Sequence, residues 1–262
     1  MTDVTFKTIS ECRLELVAHT TMSAEFIASS VHVADANLLP VSAARASFGK
    51  EDKTGEDEKA DIKLMKYLAD HQHMTPFEYN HATFLIECPL FIRSQIMRHR
   101  TFTFNEISRR YTSEDIAFWK PDKWRKQSKS NKQASTDEEF VGYVFHEFGK
   151  DGVPLKFQYG VDTTAGAAYK QSLKESLEVY EALIFAGICR EQARAVLPQS
   201  LLTRFYAGAN LRNWVHFLRL RLDSHAQYEV RVVAERIAQK LRELWPVPMS
   251  VLLPEETPAD AS

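Results

Sequence analysis

The stretch Arg98–Tyr111, R-H-R-T-F-T-F-N-E-I-S-R-R-Y, decides how this chain is read. Arg98, Arg100, Arg109 and Arg110 fall within it, beside His99 and the hydrogen-bonding side chains of Thr101, Thr103, Asn105, Glu106 and Ser108. Guanidinium groups are planar and permanently charged, and they match phosphate oxygens in pairs. Arginine clustered with Ser and Asn therefore suits a phosphorylated ligand. Glu106 would repel phosphate unless it holds an Arg in place or accepts hydrogen bonds from a sugar or base. The alternative is a solvated face whose ion pairs are each worth about 0–1 kcal/mol.

Composition limits what such a site can serve. The chain has 262 residues, 44% of them hydrophobic, with 33 basic against 35 acidic side chains. A net charge of −2 does not advertise a nucleic-acid or membrane surface, so an anion site must be local. Cys12, Cys88 and Cys189 are far apart and form no C-x-x-C pair, which suggests a reducing, cytoplasmic setting and no zinc knuckle. The start lacks a basic segment followed by an apolar run, and no stretch approaches 18 apolar residues, so neither export nor membrane insertion is expected. The nine glycines form neither G-x-G nor G-x-x-x-x-G-K, which argues against Rossmann and P-loop sites.

Outward from the motif, periodicity predicts mixed elements. Leu14, Leu16 and Ala18 alternate as a strand, and so do Phe84, Ile86 and Cys88 before Pro89. Phe91, Gln95 and Arg98 have helical spacing. Ser23 is a candidate cap for a helix through Phe26 and Ile27, and Ile62, Met65 and Ala69 mark another helix. Residues 119–135, with six basic residues and one acidic, read as a mobile loop able to act as a lid. A helix is expected from Asp137 to Phe148, a loop at Gly149 and Gly152, and a long helix burying Leu173, Leu177, Tyr180 and Ile184 that stops at Gly187. Leu201–Ala207 reads as a strand, Gly208–Asn210 as a turn, and Leu211–Arg221 as a helix capped by Asn210. Ser224 and Gln227 have capping-box spacing ahead of a helix with Val230, Val233, Ile237, Leu241 and Leu244 inward, and residues 254–262 read as a tail.

Three constellations carry chemistry. His71, His73, Glu78 and His81 could be read as metal ligands, but their spacing fits no metal pattern, and polar-turn histidines are more often hydrogen-bonded surface groups. Arg194, Arg212, Arg219 and Arg221 could form solvated helix faces, although Asn210 and Arg221 lie about three turns apart on one face. The third is the Arg98–Tyr111 motif. R-H-R-x-x-(S/T)-x-N-E-x-S-x-R-Y resembles the signature of the flavin-dependent thymidylate synthases, with Thr103 where Ser is more usual. H-x-T-P-F-E at His73–Glu78 is similar to a second family block, although Tyr79 replaces the usual His, and the resemblance runs from about Ala44 to about Glu229.

The resemblance implies an α+β fold, a single domain with helices around an antiparallel sheet, assembled as a homotetramer with sites shared between subunits. It implies methylation of dUMP to dTMP, with FAD as cofactor and NADPH and 5,10-methylenetetrahydrofolate as cosubstrates. Gln95, Arg98, Glu106, Ser108, Arg110, Arg194 and Arg221 would contact dUMP. Ser47, Thr75, Arg98, His99, Arg100, Glu106, Asn210, Arg212, His216 and His225 would contact FAD, with His73 on the folate and flavin side. Arg221 would be the catalytic residue, stabilising charge on the pyrimidine in place of a cysteine nucleophile, and no metal is expected. Two other classes stay open. One is a nucleic-acid module stacking bases on Trp119 and Trp124; the other is a metal-dependent nucleotide hydrolase built on the histidines.

Overall fold

A computed structural model describes residues 4–23, 35–132, 134–141, 143–144 and 163–254. In chain order its first elements are β1 (Thr5–Lys7), β2 (Leu14–His19), α1 (Leu39–Ala46), α2 (Glu58–Asp70), β3 (His81–Pro89), α3 (Leu90–Ile96), β4 (Thr103–Glu106) and β5 (Ala117–Trp119). Next come β6 (Arg125–Gln127), β7 (Ser135–Glu139), β8 (Tyr143–Val144), β9 (Thr163–Thr164), α4 (Ala165–Phe185) and α5 (Arg190–Ala193). The last are β10 (Leu202–Asn210), α6 (Leu211–Arg221), α7 (Tyr228–Leu244) and α8 (Pro246–Leu252), and 3-10 turns occupy Glu51–Lys53, Thr75–Glu78 and Arg194–Val196. The α+β class and the antiparallel sheet are as expected. The residues sort into two compact units built from alternating stretches of chain. The first holds Met1–Cys12, Cys88–Arg93 and Ile107–Thr203; the second holds Arg13–Glu87, Ser94–Glu106 and Arg204–Ser262.

The second unit is built on a four-stranded sheet in the order β2-β3-β10-β4. Ala82, Phe84, Ile86 and Cys88 on β3 are buried, as the alternation predicts. Gly208 is part of β10, opposite Thr103, rather than a turn. A Cβ at this position would meet Thr103 Oγ1 at 2.8 Å and Thr83 Oγ1 at 3.1 Å, so the glycine serves the close approach of neighbouring strands. Asn210 ends the strand and caps α6 as expected, its Oδ1 accepting from Asn213 N at 3.0 Å. Trp214 on α6 is fully buried, donates to Ala82 O at 3.1 Å, and meets Phe84 edge-on at 5.1 Å.

Helix α7 buries Val230, Val233, Ile237 and Leu241. It begins at Tyr228, and Ser224 does not cap it, because Asp223 Oδ1 takes the His225 backbone N–H and the Gln227 amide serves Glu229. On α2 the inward face is Asp61, Met65, Leu68 and Ala69, and Ile62 is exposed. A buried Asp replaces an apolar residue in that stripe because Arg45 pairs with it at 2.5 Å and Gly55 N donates to it at 2.7 Å.

The first unit packs α4 over β5, with Leu173, Leu177 and Tyr180 buried against Phe118, Ala193 and Leu201 and with Ile184 partly buried beside them. Gly187, at φ +88°, ends the segment after α4 as its position predicts. Strands β1 and β5 pair in parallel, a contact that sequence periodicity did not indicate. Within the stretch read as a loop, β6 pairs antiparallel with β7, and Lys126 meets Glu138 at 2.9 Å. The basic run has an acidic partner, Asp137–Glu139, and opposite charges across strands favour pairing over a free loop. The same strand and β8 occupy part of the helix expected from Asp137. Phe26, Ile27, residues 142 and 145–148 of that expected helix, Gly149, Gly152 and residues 255–262 lie outside the described residues.

Asp61 is inaccessible to solvent, so removing its partner would strand a charge. Arg45→Met is expected to lower unfolding free energy in urea by about 3–5 kcal/mol, and Arg45→Met/Asp61→Leu to recover most of it. A double variant no more stable than the single one would show that the ion pair does not set this cost.

Candidate functional site

The motif is held by the side chains that point inward. Phe102 is buried against Trp214 at a centroid distance of 4.4 Å, and His99 meets Phe217 at 4.9 Å and Phe102 at 5.8 Å. Arg98 and Arg100 flank His99 and are both exposed. No carboxylate among the described residues pairs with either. Arg98 lies beyond the end of α3, so a turn rather than the expected helix face presents it. Thr103–Glu106 continues as an edge strand, with Glu106 opposite Phe205. No strand was expected here, although the alternation of polar and apolar residues in T-F-T-F-N-E is a signal that could have marked it.

Around His99 the second unit gathers Gln95, His216 and Arg221. Arg221 Nε donates to His99 Nε2 at 3.3 Å, and its Nη2 donates to the Gln95 carbonyl at 3.1 Å. The His216 ring is 5.9 Å from that of His99. Burial, and then the charges of Arg221 and His216, push His99 down to about 4. The ring is therefore neutral at neutral pH, and Nε2 is free to accept. Burial also lowers the Arg221 guanidinium from its ordinary value, but arginine remains charged. A cation with two fixed acceptors thus points its remaining N–H groups in set directions.

A second group lies at the start of α6. Arg212 pairs with Glu78 at 2.5 Å, which ties the helix to the 3-10 turn that bears Thr75. Asn80 O receives the Leu211 N–H at 2.7 Å. Arg212 and His216, four residues apart, share an exposed face of α6. The remaining expected flavin contacts are more dispersed. Ser47 is exposed at the end of α1, and His225 is exposed with its ring held by Asp223 at 2.9 Å. His73 lies 6.2 Å from the rings of both Tyr67 and His71.

The first unit carries the other expected nucleotide contacts. Ser108 Oγ accepts from Arg110 N at 3.3 Å, and the exposed Arg110 pairs with Glu191 at 3.5 Å. Arg194, exposed, follows Glu191 by three residues. Arg109 differs from its neighbours: it is buried and donates to the carbonyls of Glu114 and Asp115, so it holds a turn rather than a ligand. Trp119 packs against Phe91 at 5.2 Å and Trp124 against Tyr169 at 5.3 Å. Those ring contacts weigh against the two tryptophans as base-stacking platforms. Among the described residues no three His, Cys, Asp or Glu side chains converge as a metal site requires, and no helix is long and apolar enough to cross a membrane. Gln227 and Glu229, absent from the expected contacts, join the site through a chain of side-chain hydrogen bonds to Gln95.

A family model described as thymidylate synthase complementing protein matches residues 17–247. The flavin-dependent thymidylate synthase of a Thermus thermophilus strain is 39% identical over 207 residues, 79% of this chain and 68% of that protein. The protein of the same name from Thermosipho melanesiensis is 39% identical over 206 residues, 79% of this chain and 81% of that one. Among solved structures, the UMP/dUMP methylase PolB from Streptomyces cacaoi, bound with 5-Br dUMP, is 28% identical. That likeness covers 95% of this chain and 96% of that one with a TM-score of 0.70. Family match, relatives and solved structure agree over most of the sequence, and the chain belongs to the flavin-dependent thymidylate synthases.

Proposed function

We propose that this enzyme methylates dUMP to dTMP, taking its carbon from 5,10-methylenetetrahydrofolate and its reducing equivalents from NADPH through FAD. It would do so in the cytoplasm, as a homotetramer with sites shared between subunits. The observation that carries the reading is Arg221, a guanidinium held by the neutral ring of the motif's His99 and by the Gln95 main-chain carbonyl.

Uracil resists electrophiles at C5 until electron density is pushed into its ring. A cysteine thiolate adding to C6 is one way to do this, but Cys12 and Cys88 are buried, and Cys12 donates to Thr8 O. The exposed Cys189 lies with its thiol toward Gln192, and no cation among the described residues contacts it to stabilise a thiolate. Arg221 supplies the other way, a fixed positive charge toward which negative charge on the pyrimidine can develop. Its two acceptors are already in place, so little reorganisation accompanies the step. Gln95, Arg98, Glu106, Ser108, Arg110 and Arg194 would bind the nucleotide, as the family resemblance implies.

The residues present fit a flavin dinucleotide. Arg98, Arg100, Arg212 and His216 offer exposed cationic or donor groups for its phosphates in place of a glycine-rich loop, and Ser47, Thr75, His99, Glu106, Asn210 and His225 add polar contacts. When bound, the flavin supplies hydride from its N5. His73 would line the folate side.

Purified protein supplemented with FAD should become yellow, bleach with NADPH under anaerobic conditions, and regain colour only when dUMP and methylenetetrahydrofolate are both added. A protein that does not take up FAD would refute the reading. Arg221→Ala should retain flavin while turnover falls about 10²–10³-fold, the range for losing one charge-stabilising donor. Arg110→Ala should chiefly raise the KM for dUMP, and equal flavin loss in both variants would contradict that division.

The pH dependence of stability tests the state of His99. Its folded value, about 4, lies below the ordinary value of 6.5, so between those limits the unfolded chain holds a proton that the folded chain lacks. Stability from this residue is complete above pH 6.5 and is lost as pH falls toward 4. Relative to His99→Gln, the wild-type melting temperature should therefore drop progressively below pH 6.5. A constant difference across that range would mean that His99 titrates normally.

A further inference from the structure

Glu229, 3% exposed in the first turn of α7, accepts from Gln227 Nε2 at 2.8 Å, and Gln227 Oε1 in turn accepts from Gln95 Nε2 at 2.6 Å. We propose that Glu229 and Gln227 form a polarity relay that locks the Gln95 carboxamide with its carbonyl oxygen toward the substrate, so that the site selects a uracil ring over a cytosine ring. The proposal rests on the reading above, in which Gln95 binds the nucleotide, and takes the base as the part that its carboxamide meets.

The direction of the relay follows from chemistry rather than from which amide atom is called oxygen. An ionised carboxylate only accepts, whereas a carboxamide has one accepting end and one donating end. Glu229 therefore draws the Gln227 NH2 toward itself, which leaves the Gln227 oxygen facing Gln95. Gln95 must answer with its own NH2. Its Oε1 is then left over, together with one N–H, and no described residue donates to that oxygen. Gln227 makes no side-chain cap to α7 because its amide serves in the relay.

Uracil presents an acceptor, a donor and an acceptor along O2, N3–H and O4. Arg221 donates to the Gln95 main-chain oxygen at 3.1 Å and keeps further N–H groups to offer. A fixed acceptor matches the N3–H donor at the centre of that edge. Cytosine has an unprotonated N3 and an amino group at C4, so the same oxygen would face a lone pair. A free glutamine could rotate by half a turn and accept cytosine. A locked one cannot, and the mispairing of a buried polar edge is what makes such discrimination strong. Glu229 and Gln227 are thus positioning residues for specificity and do not touch the reacting atoms.

The test compares dissociation constants of dUMP and dCMP for the FAD-loaded protein by titration calorimetry. Wild-type protein should bind dUMP and reject dCMP. Glu229→Gln should reduce the dUMP preference about tenfold, the effect of one hydrogen bond no longer forced. The exchange variant Gln227→Glu/Glu229→Gln returns an acceptor-only group beside Gln95 and should restore the preference. A merely structural role for Glu229 would not give that rescue. If Glu229→Gln fails to fold, Gln227→Met, at an exposed position, breaks the same relay and should show the same loss. An unchanged preference in a folded variant that still binds dUMP overturns the relay and leaves the synthase reading intact. Wild-type protein that binds neither nucleotide overturns both.

Discussion

The hydrogen bond from Arg221 Nε to His99 Nε2 depends on His99 remaining neutral, and the candidate site is built to keep it so. Phe102 and Phe217 exclude water from one side of the ring, and the charge of Arg221 opposes protonation from the other. A protonated His99 would repel the guanidinium it now positions. The aromatic packing around Trp214 therefore does more than fill a core. It sets the protonation state of an acceptor and, through it, the direction of a cation.

That arrangement explains how one short motif can be both structural and chemical. His99 and Phe102 face the core, and Arg98 and Arg100 face outward. Buried aromatic residues fix the backbone, so two flexible arginine side chains begin from defined points. Charges elsewhere in the chain are handled differently. Asp61 is buried only with Arg45 beside it, and Arg109 is buried only with two backbone carbonyls to receive it. In each case a charge leaves water only where fixed partners replace the lost hydration.

The unequal treatment of the motif arginines was not visible in their order. Arg109 and Arg110 are adjacent and chemically identical, yet one closes a turn and the other pairs with Glu191 at the surface. Local sequence cannot separate them, because the carbonyls of Glu114 and Asp115 become acceptors only once the turn has formed. Gly208 presents a related case. The sequence suggested a turn, but the close approach of Thr83 and Thr103 on the neighbouring strands keeps it in β10.

The sequence by itself determined the chemistry on offer: the spaced motif, the lack of a cysteine in an activating setting, the strand alternation at Phe84–Cys88, the cap at Asn210 and the stop at Gly187. These are local properties, set by residue type and by periodicities of about two and 3.6. The tertiary structure alone decided the pairing of Arg221 with His99, the tie between Arg212 and Glu78, the ordering of the basic 125–127 segment against its acidic partner, and the chain of amides from Glu229 to Gln95. Those partners are separated by up to 134 residues, and hydrogen bonds between them have no signature in either member. They exist because the fold brings a donor and an acceptor within about 3 Å and removes the water that would otherwise compete.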